Sequence, residues 1–295
     1  MPKKVWSALS LILISFCLGA KDQHANVALS GIYLGEKLPG ETPTLFAPGI
    51  ISLDGRYEFG ISFSPDLKEI YFSGNKKGEL SKIFMTQQVN GKWTPVTPIS
   101  FTKQSELGEL HPFVSHDGNK LYFSSHDSEY KENQNWYVQR KNHSWSTAIN
   151  LGEVINQDEV FDVSESANGD LYYTNISKMK MYYAPFKSGR YPEQMEVGID
   201  SGIHGVISKS QDFLIVDARH KERKDKDLYV YFKLEDGGWS DAINLGDKVN
   251  TTFNETVPNL TPDGKFLFFS RYDEKNGLSN FYWVSSKIIE DLRPY

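Results

Sequence analysis

The chain has one cysteine in 295 residues, Cys17. No disulfide can form within it, and no Cys-x-x-Cys pair is available for a metal or a redox couple. It lacks a surplus of basic charge: 38 acidic against 32 basic residues give a net charge of −6. Nucleic-acid binding needs a basic face to neutralise phosphate, so no nucleic-acid partner is expected. The densest charge run, His220 to Asp227 (HKERKDKD), mixes both signs and reads as a solvated loop. The leading apolar run, Val5 to Leu18, falls short of the roughly 20 residues that span a bilayer. Beyond residue 20 no stretch sustains a helical period, which argues against an alternating βα fold. Also missing are a Gly-x-Ser-x-Gly nucleophile elbow, a phosphate loop, a dinucleotide fingerprint and any close-spaced His or Cys cluster.

What is present begins with the first twenty residues. A basic start (Lys3, Lys4), an apolar stretch and small residues at Gly19 and Ala20 have the layout of a secretory signal peptide over 1–20. The protein is therefore expected to be exported, to the periplasm or the extracellular space. Cleavage near Gly19 or Ala20 leaves a mature chain with no cysteine. Lipidation of Cys17 is the alternative, and would be its only link to a membrane. Phe16 stands against it, because the residue before a lipidated cysteine is normally small.

The rest of the chain repeats one unit. Its clearest copy is Glu109 to Phe123 (ELHPFVSHDGNKLYF), two β-rich runs joined by an Asp-Gly turn. Copies start at Glu58, Glu109, Glu159, Gly202 and Glu255, at separations of 51, 50, 43 and 53 residues. A third aromatic strand follows in each, as at Asn135 to Val138. A polar turn then leads to Trp93, Trp145, Tyr191 or Trp239, read as packing anchors because large aromatics supply core area. A short tail such as Ile243-Asn244-Leu245-Gly246 ends the unit. Four antiparallel strands every 40 to 50 residues are the pattern of a β-propeller blade. The expected fold is all-β: a five-bladed propeller forming a single domain from residue 27 to 295. The fifth unit lacks its tail, and Gly31-Ile32-Tyr33-Leu34-Gly35 resembles the missing piece. The N-terminal segment is thus expected to close the last blade and remove an open sheet edge.

Ser64-Pro65-Asp66 with Ile70-Tyr71-Phe72-Ser73 resembles the WD-like propeller repeat of the TolB type. So does Thr261-Pro262-Asp263-Gly264 with Leu267-Phe268-Phe269-Ser270, and His116-Asp117-Gly118 is a third match. The resemblance covers nearly all of the chain beyond residue 27. It implies a propeller scaffold, and such scaffolds serve as interaction modules, peptidase parts, lyases and sensors, so it does not choose a function.

First strands of blades line the central channel, so two recurring positions are candidates for binding. Glu58, Glu109, Glu159 and Glu255 open four units, with Gly202 the exception. They form either an acidic ring for a cation such as calcium, an amine or a basic peptide, or a set of caps on backbone N–H groups. Two positions on stand Gly60, His111, Phe161, His204 and Val257. This position varies within a symmetric frame, which points to His111 and His204 as channel residues able to bind or to move protons. The Ser residues after the second strands read as strand-end hydrogen-bonders, and no catalytic residue is assigned. The leading expectation is a monomeric scaffold, with no required cofactor, that binds a protein or small ligand at the channel mouth. The alternative is a hydrolase or lyase acting on carbohydrate or ester substrates through channel Glu and His groups.

Overall fold

The computed structural model describes residues 29–142 and 144–294. The expected signal peptide and Cys17 lie outside the described residues. Each repeat folds as three long antiparallel strands and a short outer one. The first unit comprises Tyr57–Phe63, Glu69–Asn75, Lys82–Val89 and Thr97–Ile99. The second has Gly108–Val114, Lys120–His126, Gln134–Lys141 and Ile149–Asn150. The third has Val160–Glu165, Leu171–Asn175, Lys180–Ala184 and Met195–Glu196. The fourth has Ile203–Ile207, Phe213–Arg219, Lys226–Phe232 and Ile243–Asn244. The last has Asn254–Leu260, Phe266–Asp273 and Leu278–Ser285, with Thr44–Leu45 as its outer strand. First and last units are joined by one parallel residue pair, Tyr57 with Ser279. Each first strand packs against the next in order, and Asn254–Leu260 returns to Tyr57–Phe63, which closes the ring.

The second strands explain why the units stack. Ile70, Tyr71 and Phe72 are fully buried, as are Leu121, Tyr122 and Phe123 and their counterparts Leu267, Phe268 and Phe269. Bulk on both faces suits a strand packed between neighbours on either side. Each such side chain contributes about 1.5–3 kcal/mol of burial. The hairpin turn is held by its own side chains. In the second unit Ser115 Oγ donates to Asp117, while the amides of Asn119 and Lys120 donate to Asp117 Oδ1 and Ser115 Oγ. Gly118 takes the φ of 72° that the turn demands. Ser64 with Asp66 and Thr261 with Asp263 repeat the device.

The anchoring aromatics link elements as expected. Trp145 Nε1 donates to Tyr71 Oη of the preceding unit at 3.0 Å, and Trp93 Nε1 donates to the carbonyl of Gly31 at 2.7 Å.

The ring is closed from the N-terminal side, but by a different segment from the one expected. Thr44–Leu45 pairs with Trp283 and Tyr282. Ile32–Gly35 instead forms a short 3-10 turn, and Ser30 bridges to Lys92 of the first unit. Tyr33 wedges between Phe63 of the first unit and Phe266 and Trp283 of the last. A buried tyrosine clasping two units is why this stretch turns rather than extends.

Candidate functional site

Each first strand carries a bulge, and the bulge builds the site. Phe59, Leu110, Phe161, Ile203 and Thr256 pair with Ser73, Ser124, Thr174, Asp217 and Ser270. The register then slips at the next residue. Those bulge residues are Gly60, His111, Asp162, His204 and Val257, with φ of 59°, 54°, 61°, 40° and 51°. A bulge re-aims its side chain, here inward. Four of the five amides are held by the preceding unit's second strand. His111 N donates to Ser73 Oγ at 2.8 Å, Asp162 N to Ser124 Oγ at 3.0 Å, His204 N to Thr174 Oγ1 at 3.2 Å and Val257 N to Asp217 Oδ2 at 3.1 Å. Ser73, Ser124 and Thr174 are thus inter-unit hydrogen-bonders, and Asp217 fills the same post as a carboxylate; the expectation fails at Ser270, whose Oγ is buried with no hydrogen-bond partner among the described residues.

This register corrects the third unit. Its bulge residue is Asp162, not Phe161, and the residue opening it is Val160, not Glu159. The hairpin there is one residue shorter, pairing Glu165 with Leu171 where the second unit pairs Val114 with Leu121. A one-residue change in a turn shifts every residue counted back through it.

The glutamates do not form an acidic ring. Glu58 is fully buried and accepts from Arg56 Nε at 2.7 Å and from the Leu53 amide. Glu109 accepts from the amides of Phe101 and Thr102 and the hydroxyls of Ser100 and Thr102. Glu255 accepts from the Thr251 amide and hydroxyl and from Arg271 Nε at 2.6 Å. All three tie down the loop that enters their strand. Glu159 is a half-buried partner of Asn133. None of the four lines the channel cavity. Gly202 replaces glutamate in the fourth unit because a Cβ there would lie 2.4 Å from Val216 Cγ2. Among the described residues no group of three His, Cys, Asp or Glu side chains is placed to hold a metal ion.

The histidines do converge. His111 and His204 line one cavity of about 1040 Å³ at the mouth where the first strands begin, with ring centroids 5.3 Å apart. Phe161 packs edge-on against both. Phe59, Leu110, Ile203 and Val257 add apolar wall, and Tyr57, Tyr130, Tyr272 and Met179 stand further out. Gly60 leaves the room His111 needs, since a Cβ there would lie 3.2 Å from His111 Cα.

Each imidazole is oriented by a carboxylate. His111 Nδ1 lies 2.8 Å from Asp162 Oδ1, and His204 Nδ1 lies 2.6 Å from Asp217 Oδ2. A carboxylate only accepts, so Nδ1 carries the proton and, in the neutral ring, Nε2 is left as a lone pair. Among the described residues neither Nε2 has a hydrogen-bond partner. Burial holds the His111 pKa below the ordinary imidazole value, against the opposing pull of Asp162 and Asp217. Burial pushes the Asp217 carboxyl up, but His204, Lys226 and the Val257 amide outweigh it and the net direction is down. Lys226 Nζ sits 3.4 Å from Asp217 Oδ1 at the cavity wall. The arrangement can accept a proton or a hydroxyl hydrogen bond at two adjacent points. Sequence reading found His111 and His204 but not their partners. Asp162 was hidden by the shorter turn; Asp217 was visible only as a departure from the Ser or Thr of the other units.

A scan of protein-family models finds no match to this chain, and no curated protein matches it. Solved structures do resemble it. The GH43 endo-arabinanase from Bacillus licheniformis has a TM-score of 0.51 at 14% identity, over 79% of this chain and 95% of that one. The putative TolB from Agrobacterium tumefaciens has a TM-score of 0.49 at 14% identity, over 74% of this chain and 71% of that one. The α-L-arabinofuranosidase from Podospora anserina, solved with cellotriose, has a TM-score of 0.49 at 10% identity, over 87% and 93%. At these identities the likeness is one of fold alone, and the fold is the β-propeller that the repeat implied.

Proposed function

We propose that the chain is an exported propeller that binds a small ligand in the cavity at the channel mouth. The observation that carries this reading is the convergence of His111 and His204, from two different units, on one cavity. A pocket on the scale of 1000 Å³ with an apolar wall and a few oriented polar groups has the character of a ligand site. A thermal-shift screen of small polar metabolites tests it. Hits are expected on the wild type and are expected to vanish in both His111→Ala and His204→Ala, each checked for folding by its own melt. Hits that survive both substitutions would place binding elsewhere and end this reading.

One observation favours a second reading. A histidine whose Nδ1–H is held by a carboxylate, with Nε2 open to a pocket, is arranged as a general base. As a hydrolase or lyase on carbohydrate or ester substrates, the protein would turn over a substrate from a broad panel. Turnover would be lost in His111→Gln. Activity unchanged by that substitution would remove His111 from any mechanism.

A further inference from the structure

We infer that the ligand is a small hydroxylated anion, an inference that rests on the cavity being the binding site. Two independent features of the lining lead there. The first is charge. The chain carries a net −6, yet Lys77, Lys226 and Lys275 line this cavity against one carboxylate, Glu274. Lys77 and Lys275 are exposed, and among the described residues neither is in a salt bridge. The two buried carboxylates nearby, Asp162 and Asp217, are turned to histidine Nδ1 atoms, and Asp217 also to Lys226. With Lys226 taken up by Asp217, the outer rim of the mouth carries Lys77 and Lys275 against Glu274, a local excess of positive charge on an acidic protein, and such an excess raises the local concentration of anions.

The second feature is the floor. With Nδ1–H committed to Asp162, a neutral His111 offers Nε2 as an acceptor, and His204 is held in the same way by Asp217. A hydroxyl both donates and accepts, so it can meet the Nε2 atoms of both rings, and it is a group that an anion can also carry. Phe161 packs against both rings and Phe59 against His111, and the two supply apolar surface for the ligand's carbon skeleton. Anionic groups would sit toward the lysines and hydroxyls toward the imidazoles.

The experiment follows histidine ring signals by NMR in the full chain, assigned with His111→Gln and His204→Gln, while adding gluconate, glucose 6-phosphate, D-glucose or acetate. Gluconate or glucose 6-phosphate is expected to move both sets of signals and to bind about tenfold more tightly than glucose, a factor of ten being the scale of one favourable charge contact. Which of the two binds tells a carboxylate from a phosphate ester. The preference over glucose is expected to disappear in Lys77→Gln/Lys275→Gln, whose exposed positions leave the fold intact. Acetate, an anion without hydroxyls, is expected to leave the signals in place. Glucose binding as tightly as the anions would overturn the inference while leaving the cavity as the site. If none of the four moves either histidine, the inference is overturned, and the metabolite screen alone then decides whether the cavity binds anything.

Discussion

Gly60 and His111 show how closely single residues set this site. Gly60 has φ 59° and stands 3.2 Å, at its would-be Cβ, from His111 Cα. Gly60→Ala is expected to destabilise the fold by about 1–2 kcal/mol, the cost of a left-handed side chain, and to displace the His111 ring. Urea denaturation and the ring's NMR shift together check it. His111 itself gives stability a pH dependence. Its imidazole is held below the ordinary 6.5, so below that pH the unfolded chain binds the proton more readily. Its contribution is full above 6.5 and is lost as pH falls through the lowered folded value. Asp162, His204 and Asp217 are the charged and titratable groups that face it. Glu58 works in the opposite sense: burial pushes its pKa up to about 7 despite Arg56, so its charge costs stability at high pH and that cost fades as pH falls from 7 toward 4.5. Melts of wild type and His111→Gln across pH 5–7.5 separate the two, and the difference between them is expected to shrink as pH falls. Of the residues in this constellation, His111 and His204 were legible because they broke a repeat. Asp162 was not, because its register depends on the length of a turn that only pairing reveals.

At the scale of elements, the strand-entry loops are fixed by buried carboxylates rather than by the channel. Glu109 meets four donors at Ser100, Phe101 and Thr102. Glu109→Ala strands those donors and is expected to cost about 1–3 kcal/mol in chemical denaturation, with the affinity of any cavity ligand unchanged. A ligand lost together with stability would return Glu109 to the site. Repetition made the glutamates conspicuous in the sequence, and repetition is also what a recurring joint produces. Sequence order alone does not say which way a carboxylate points, since the bulge turns the chain just after it. The second strands were legible for the opposite reason: apolar residues on both faces leave one solution, a strand between two neighbours.

For the whole molecule, ring closure was expected from the missing fifth tail, and a segment from the N-terminal side does supply it. The tail-like sequence at 31–35 was the wrong segment because Tyr33 is claimed by a buried cluster with Phe63, Phe266 and Trp283. Phe46, next to the closing strand, is fully buried against Phe268 and Trp283. Phe46→Ala is expected to cost about 3–5 kcal/mol and to expose the joint between first and last units, seen as faster hydrogen exchange at Leu278–Ser285. Closure matters to the proposed site because His111 and His204 come from the second and fourth units, so only the intact ring sets them side by side. The most direct test is the protonation of those two rings in the native protein, read from nitrogen-15 shifts at neutral pH. A neutral His111 with the proton on Nδ1 and a bare Nε2, whose signal moves together with that of His204 when a cavity ligand is added, is the predicted result. A proton on Nε2 of His111, or two histidines that respond to ligand independently, would contradict it.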